Sequence, residues 1–356
     1  MKIEIYSPTI RRKEMDAVLT AMVEDKIGPG GEAKFLIQTA REKLKFDYCV
    51  ALRSPALALY LALKSLNLEQ GQAVMVSALS PLYYARVIEN LGLRPLYCDV
   101  LPSSVSMGRE TVEKALASRP EDLEVRCIVL HHTLGYLSDA AAIAALGIPL
   151  IEDCSQSYGT AIEDDQKSGE DGVLTGNTGI FTILGLEERD MLTSGGGALL
   201  YSENRRTSRT RDAALLRNLG DLPPEYGLPD MNAAMAVVQF REAAKNLLKR
   251  REIARLYTQS ALRTRHKRLV EFAEYNNYAF PLILETGVKE VKAYARRKDI
   301  AVESAFDNTL VGSGIVPPDQ CPEAYSLSLR TVLFPIYPRL GMTDAGKVAK
   351  LIQTLP

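Results

Sequence analysis

The sequence predicts an α/β fold of three layers, with helices on both faces of a mostly parallel central sheet and a smaller α+β unit after it. Three observations carry that prediction. Between residues 47 and 202, seven short apolar runs alternate with helical stretches. Those runs are apolar almost throughout instead of alternating with polar residues, as strands covered on both faces are. Beyond residue 245 the rhythm changes to one strand and two helices. The chain has 356 residues, 46% of them hydrophobic, enough for a large domain with a small one appended.

In order along the chain, Ser7-Pro8-Thr9 is a helix start signal, and Met15, Val18, Leu19 and Met22 then recur at helical spacing. Gly28-Pro29-Gly30-Gly31 breaks the chain before a second helix over 33–44. The strands fall at 48–52, 73–78, 95–100, 125–131, 149–153, 180–184 and 197–201, with helices between them at 56–66, 81–91 and 139–146. Ser54 caps the first of these, and Pro55 suits its opening position. Met231, Ala234, Met235 and Val238 begin a long helix that runs into a basic stretch, 245–268, with nine Lys or Arg against one Glu. With Tyr257 its only aromatic, that stretch reads as the solvated face of a connecting helix, not as a nucleic-acid surface. A strand at 278–284 and helices at 288–297 and 343–355 close the chain. The expected domains are 1–245, with N-terminal helices in 8–45 and the αβα core in 47–245, and 246–356.

Charge and composition remove several functions. Lys and Arg total 43 against 44 Asp and Glu, a net charge of -1, so no global basic field exists to attract nucleic acid. Met1-Lys2-Ile3-Glu4-Ile5 lacks the continuous apolar core of a signal peptide. The longest apolar run, 140–151, falls short of the roughly 20 residues that span a bilayer. A cytoplasmic protein with no membrane partner is expected. Cys49, Cys98, Cys127, Cys154 and Cys321 show no Cys-x-x-Cys spacing and only three His accompany them, so reduced, buried thiols and no metal site are expected.

The segment richest in chemistry is Ile151-Glu152-Asp153-Cys154-Ser155-Gln156. An apolar strand delivers two acids and a Gln at its carboxyl end, where parallel sheets bind ligands. An Asp there can hold a cationic ring nitrogen by a charge-assisted hydrogen bond, or cap the following turn. Spacing alone leaves both open.

This segment and the order of everything around it resemble the DegT/StrS-type sugar aminotransferases, pyridoxal-phosphate enzymes of the aspartate aminotransferase fold (fold type I). The resemblance covers nearly the whole chain. It implies that Asp153 pairs with the pyridine nitrogen of the coenzyme and that Gln156 lies near its ring hydroxyl. Gly179-Ile180-Phe181-Thr182 resembles the strand whose Ser holds the coenzyme phosphate, with Thr182 in its place, and His132 matches a His in the strand before. Leu192-Thr193-Ser194-Gly195-Gly196-Gly197 is similar to the family's L-T-T-G-E-G-G, and Arg217-Asn218-Leu219-Gly220 to its R-N-x-G. Met231 to Gln239 and Arg250-Arg251-Glu252-Ile253-Ala254 resemble the helix that leads into the small domain.

The departures are chemical. The position of the family's imine-forming Lys, two residues before L-T-T-G, holds Asp190, with Glu187 and Glu188 close by. A carboxylate has no nucleophilic nitrogen, so it forms no imine. It shuttles protons only if burial raises its pKa toward neutrality. Where the family has S-G-T at a helix start, this chain has Ser54-Pro55-Ala56, which keeps the Ser54 hydroxyl and loses a backbone N–H and a second hydroxyl. The ring-stacking aromatic falls at Pro81, with Tyr83 and Tyr84 just beyond. The Asn-x-Arg lent by a neighbouring subunit falls at Glu225-Tyr226-Gly227, and 306–310 also departs from the pattern.

The reading that follows is an aminotransferase-fold protein that is catalytically inactive. It would bind pyridoxal or pyridoxamine phosphate weakly and non-covalently, or not at all. Its role would be as a partner or regulatory subunit, or as a binder of a nucleotide-sugar-like ligand. The resemblance implies a homodimer, or a heterodimer with a lysine-bearing relative. The alternative is a nucleotide-sugar aminotransferase or dehydratase working without the usual Lys. It would use pyridoxamine phosphate with Asp190 as base, or a displaced lysine, for which Lys167 is the nearest candidate.

Overall fold

The structure, a computed structural model, describes residues 2–162, 173–174, 176, 178–202, 222–271, 273 and 275–356. Lys167 and Arg217-Asn218-Leu219-Gly220 lie outside the described residues. Two helices open the chain, α1 (Arg12–Val23) and α2 (Gly31–Leu44), the second stopped by Lys45 in a left-handed conformation. The alternating core follows: β1 (Tyr48–Leu52), α3 (Pro55–Ser65), β2 (Ala73–Ser77), α4 (Tyr83–Asn90), β3 (Arg94–Cys98), α5 (Arg109–Ser118), β4 (Val125–His131), α6 (Ala140–Ala144) and β5 (Leu150–Asp153). Then come β6 (Ala161–Ile162), β7 (Val173–Leu174), β8 (Phe181–Gly185) and β9 (Ala198–Ser202).

Seven strands form the main sheet in the order β1-β9-β8-β5-β4-β2-β3, parallel from β8 to β3, with β9 antiparallel to both its neighbours. Helical crossovers α4, α5 and α6 dictate its parallel order from β2 to β5. One face buries Val76, Val129, Ile151 and Ile183 beneath Leu59 and Leu63 of α3 and Tyr84 and Ile88 of α4. The other buries Met75, Ile128 and Leu150 against Val112 of α5 and Ile143 of α6. Further along that second face, Leu184, Leu199 and Tyr201 pack on Leu36 of α2. Each fully buried Leu contributes about 1.5–3 kcal/mol relative to exposure.

α7 (Asp230–Ala261) spans 32 residues and joins this core to a second one. There β10 (Phe280–Ile283), β11 (Glu303–Ser304) and β12 (Thr331–Phe334) form an antiparallel sheet in the order β10-β12-β11. α8 (Val288–Arg296), α9 (Pro322–Arg330) and α10 (Met342–Gln353) accompany it. Ile3 joins this second core through a parallel bridge to Ile300. No described helix is long and apolar enough to cross a membrane.

Two helical faces differ from the periodicity reading. On α1, Met15, Leu19 and Met22 are 51%, 56% and 51% exposed, and the face turned inward carries Glu14 and Ala21. Glu14 is held there by the Arg11 N–H at 2.9 Å and Gln239 Nε2 at 3.0 Å. Within the basic stretch, Arg250 is only 5% exposed. Its Nη1 donates to the carbonyls of Ile336 (2.8 Å), Tyr278 (2.9 Å) and Asn277 (3.2 Å), so it is a clasp between α7 and the segments flanking the second sheet.

Candidate functional site

The strand order reverses beside β2, and the carboxyl ends of β2, β4, β5 and β8 converge where a parallel sheet leaves room for a ligand. Asp153 ends β5 there, 1% exposed, in register with His131 of β4. Its carboxylate is fully engaged by the protein. Oδ1 accepts from the Ser155 hydroxyl at 2.5 Å and the Ser155 N–H at 3.0 Å. Oδ2 accepts from the Tyr84 hydroxyl at 2.5 Å and the Tyr83 hydroxyl at 3.3 Å. Tyr84 is completely buried, edge-on to His131 with ring centroids 6.0 Å apart, and Tyr83 leans on it from the half-buried side at 4.9 Å. Burial, then the Asp153 charge, pushes both phenols well above their usual range, so both remain donors.

Asp190 lies beside this cluster. A Cβ on Gly185, at the end of β8, would fall 2.2 Å from Asp190 Oδ2 and 2.6 Å from Ser155 Oγ, so only glycine lets the two side chains meet there. Asp190 Oδ2 accepts from the Glu187 N–H at 2.8 Å, closing its own loop. Burial of the carboxylate raises its pKa well above the usual range; the Glu187 N–H opposes this, and the charges of Asp153 and Glu187 reinforce it. The loop is held from both chain ends. Tyr6 donates to the Glu188 carbonyl, and Arg189 pairs with Glu303 at 2.8 Å.

The other expected residues are engaged elsewhere. Thr182 is in register with Glu152 and Tyr201, hence on the sheet face opposite Asp153, and its hydroxyl donates to the Gly176 carbonyl. Ser54 accepts from the Leu57 N–H at 3.2 Å, an N-cap on α3. Gln156 Oε1 accepts from the Leu134 N–H at 2.6 Å. Glu225 and Tyr226 of the same chain cover the start of α3, through Arg53 Nε to the Glu225 carbonyl at 2.5 Å and the Arg53 N–H to the Tyr226 carbonyl at 3.0 Å. Pro81 bridges Thr309, and the carbonyls of Ser80 and Ala78 accept from Leu310 and Val311. The segment 306–311 of the second unit is thus laid across the mouth of β2.

Sequence reasoning missed a buried cluster behind the site. Glu152 Oε1 accepts the N–H groups of Thr178 (2.8 Å) and Gly179 (2.6 Å), and Oε2 meets His132 Nε2 at 3.2 Å. His132 Nδ1 accepts from the Ser138 N–H at 3.3 Å, which leaves the ring proton on Nε2. Burial raises the Glu152 pKa, but His132 and the two N–H groups more than offset it, for a net lowering. The Cys154 sulfur joins them, the ligand atoms of His132, Glu152 and Cys154 lying within 4.8 Å of one another. Local spacing gives no sign of this, because the residues come from the turn after β4, from β5 and from the turn after it.

With this geometry in place, the comparisons with known proteins are specific. The DegT/DnrJ/EryC1/StrS aminotransferase family model matches residues 8–353. The chain belongs to that family. It is 23% identical over an alignment of 393 positions, gaps included, to dTDP-4-dehydro-2,3,6-trideoxy-D-glucose 4-aminotransferase of Saccharopolyspora spinosa, covering 99% of this chain and 96% of that one. It is 28% identical over 233 residues to L-glutamine:2-deoxy-scyllo-inosose aminotransferase of Streptomyces lividus, a match over 63% of this chain and about half (52%) of that enzyme's length. Among solved structures, the aminotransferase TlmJ of Streptoalloteichus hindustanus superimposes with a TM-score of 0.84 at 19% identity over 99% of this chain and 98% of that one. The PMP form of the putative sugar aminotransferase Spr1654 of Streptococcus pneumoniae gives 0.85 at 16% identity over 100% and 98%. The α/β fold with its mostly parallel sheet is that of the pyridoxal-phosphate-dependent aminotransferases.

Proposed function

We propose that this chain is a non-catalytic member of the family, acting as a partner or regulatory subunit or binding a nucleotide-sugar-like ligand. The observation that carries the reading is Asp190. At the position that the resemblance gives to the imine-forming lysine, it offers a carboxylate bonded to its own loop and placed beside Ser155 over Gly185. An imine at this position requires an amine. The coenzyme's phosphate fits poorly as well, since Ser54 caps its helix, Pro55 has no N–H and Thr182 bonds on the far face of the sheet. Incubation with pyridoxal phosphate and borohydride, read by intact and peptide mass, tests the reading. No trapped adduct is expected, and one stoichiometric adduct on a lysine of the cleft would end it.

A partner chain belongs to this proposal. Met15, Leu19 and Met22, with Val23 at 83% exposure, leave an apolar stripe on α1 that its own core does not cover. Such a stripe, rimmed by the Arg12–Asp16 and Lys13–Glu242 pairs, has the anatomy of an interface. Light scattering is expected to give a mass above one chain, reduced by Leu19→Glu.

A second reading is a sugar aminotransferase or dehydratase that uses the amine form of the coenzyme without a covalent lysine. It is favoured by Asp153 and Gln156 standing at the end of β5. That reading requires tight pyridoxamine phosphate binding that Asp153→Ala abolishes.

A further inference from the structure

We infer that the ring site of the coenzyme is closed from within, the Tyr84 hydroxyl serving Asp153 in place of a pyridine N–H and the Tyr83 ring covering it. The inference rests on the non-catalytic reading and adds what occupies the site. An ionised carboxylate offers about four acceptor positions. At Asp153 all four are used: two by Ser155, one by Tyr84 and one by Tyr83. A ligand nitrogen must therefore displace a donor that is already bonded in a dry environment.

Displacement is opposed by the frame around the two tyrosines. Tyr84 has no exposed surface, and its ring is wedged against His131. The turn just before them is pinned by Pro81 to Thr309 and by the Ser80 carbonyl to Leu310, at 3.0 Å. Phe306, Leu310 and Val311 are buried in the same core as Tyr84, so moving α4 means lifting that segment away. On the other flank Ser155 is fixed, its hydroxyl also accepting the Gly185 N–H at 2.8 Å. A buried carboxylate without donors is costly. The Tyr84 hydroxyl removes that cost with no ligand present.

The test is calorimetric titration of pyridoxamine phosphate into the full chain, wild type against Tyr83→Ala/Tyr84→Phe, each checked for folding by circular dichroism. The wild type is expected to show no binding tighter than about 1 mM, near -4 kcal/mol. The double variant should bind at least about tenfold more tightly. A micromolar wild-type affinity overturns the inference, and so does a folded double variant that binds no better than wild type. If the double variant does not fold, Tyr83→Ala alone decides, since it uncovers Asp153 from the half-buried side. It must gain at least about threefold, and no gain overturns the inference. A borohydride-trapped lysine adduct in the wild type would instead remove the non-catalytic reading, so the two failures are distinct.

Discussion

The phenol oxygen of Tyr84 lies 2.5 Å from Oδ2 of Asp153, and neither side chain reaches solvent to any useful extent. The two residues come from α4 and β5, brought together because only β4 separates β5 from β2, the strand that α4 follows. Hydrogen bonds to charged groups contribute about 1.5–3 kcal/mol, and a buried acceptor deprived of its donor forfeits most of that. Tyr84→Phe should therefore lower the free energy of unfolding by about that amount. Urea unfolding checks it: the midpoint falls while the slope with denaturant stays constant.

Glu152 is expected to give the acid side of the stability profile. Its pKa is lower in the folded state than in the unfolded chain, so its contribution is present above the ordinary Glu value of roughly 4.3 and is lost as pH falls through the folded value. Glu152→Gln keeps one acceptor but turns an NH₂ toward either the His132 Nε2–H or the Thr178 and Gly179 N–H groups. Unfolding free energies at pH 7 and pH 4 should differ less in this variant than in the wild type, with a loss at pH 7 of about 2–3 kcal/mol.

Asp190 has the opposite sign. A carboxyl whose folded pKa is raised binds its proton more tightly when folded, so stability declines as pH rises from the unfolded value, roughly 3.9, toward the folded one. Asp190→Asn retains an oxygen for the Glu187 N–H and removes the charge facing Asp153. The variant should be more stable than wild type at pH 7 and not at pH 3.5, measured by thermal melts at both. A wild type that outlasts it at pH 7 would remove the electrostatic account of this loop.

Much of the fold is legible in the sequence for a physical reason. Strands covered on both faces are apolar throughout, so β1, β2, β4 and β5 stand out to within a residue or so at their ends. β11 has two residues, and α9 runs straight into β12 without a turn residue, so neither leaves such a signature. Helical period locates α1 but not its partner, and its strongest apolar stripe faces outward because Glu14 is the residue tied to Gln239. At the site, the strand-end rule points to Asp153 and Gln156. Ser54 is legible both as a cap and as an anion ligand, and only the bond to Leu57 separates the two. Pairs such as Tyr84 with Asp153 or Asp190 with Gly185 depend on sheet order and loop closure, which no local pattern encodes.

Arg250 joins the two cores with no carboxylate partner among the described residues, its charge dispersed over three carbonyls. Burial lowers its pKa, with the nearby Tyr278 and Tyr6 acting the other way. Arg250→Met fills similar volume but strips the carbonyls of Asn277, Tyr278 and Ile336 of a shared donor. The expected loss is about 3–5 kcal/mol, the range for breaking buried charged contacts. Amide hydrogen exchange should show faster opening of β10 and β12 than of β4 and β5. Uniform acceleration of all four would mean that Arg250 supports the whole fold instead of the junction.

On the non-catalytic reading proposed above, a lysine is the obvious residue to introduce, and Asp190→Lys is expected not to give imine formation. The new amine would enter next to Asp153 and Gly185, where the cleft already holds the Tyr83 and Tyr84 phenols and the Ser155 hydroxyl. Burial would favour its neutral form, and the Asp153 carboxylate would favour the ammonium, which is no nucleophile. The phosphate would still lack the donors absent at Pro55 and turned away at Thr182. Borohydride trapping and peptide mass should therefore find no more adduct at position 190 than on surface lysines. Adding Tyr83→Ala and Tyr84→Phe to the same chain should raise that yield, because the ring then has a place to lie. If Asp190→Lys alone gave a stoichiometric adduct, the missing amine would be the sole barrier, and the tyrosine-filled ring site would count for nothing.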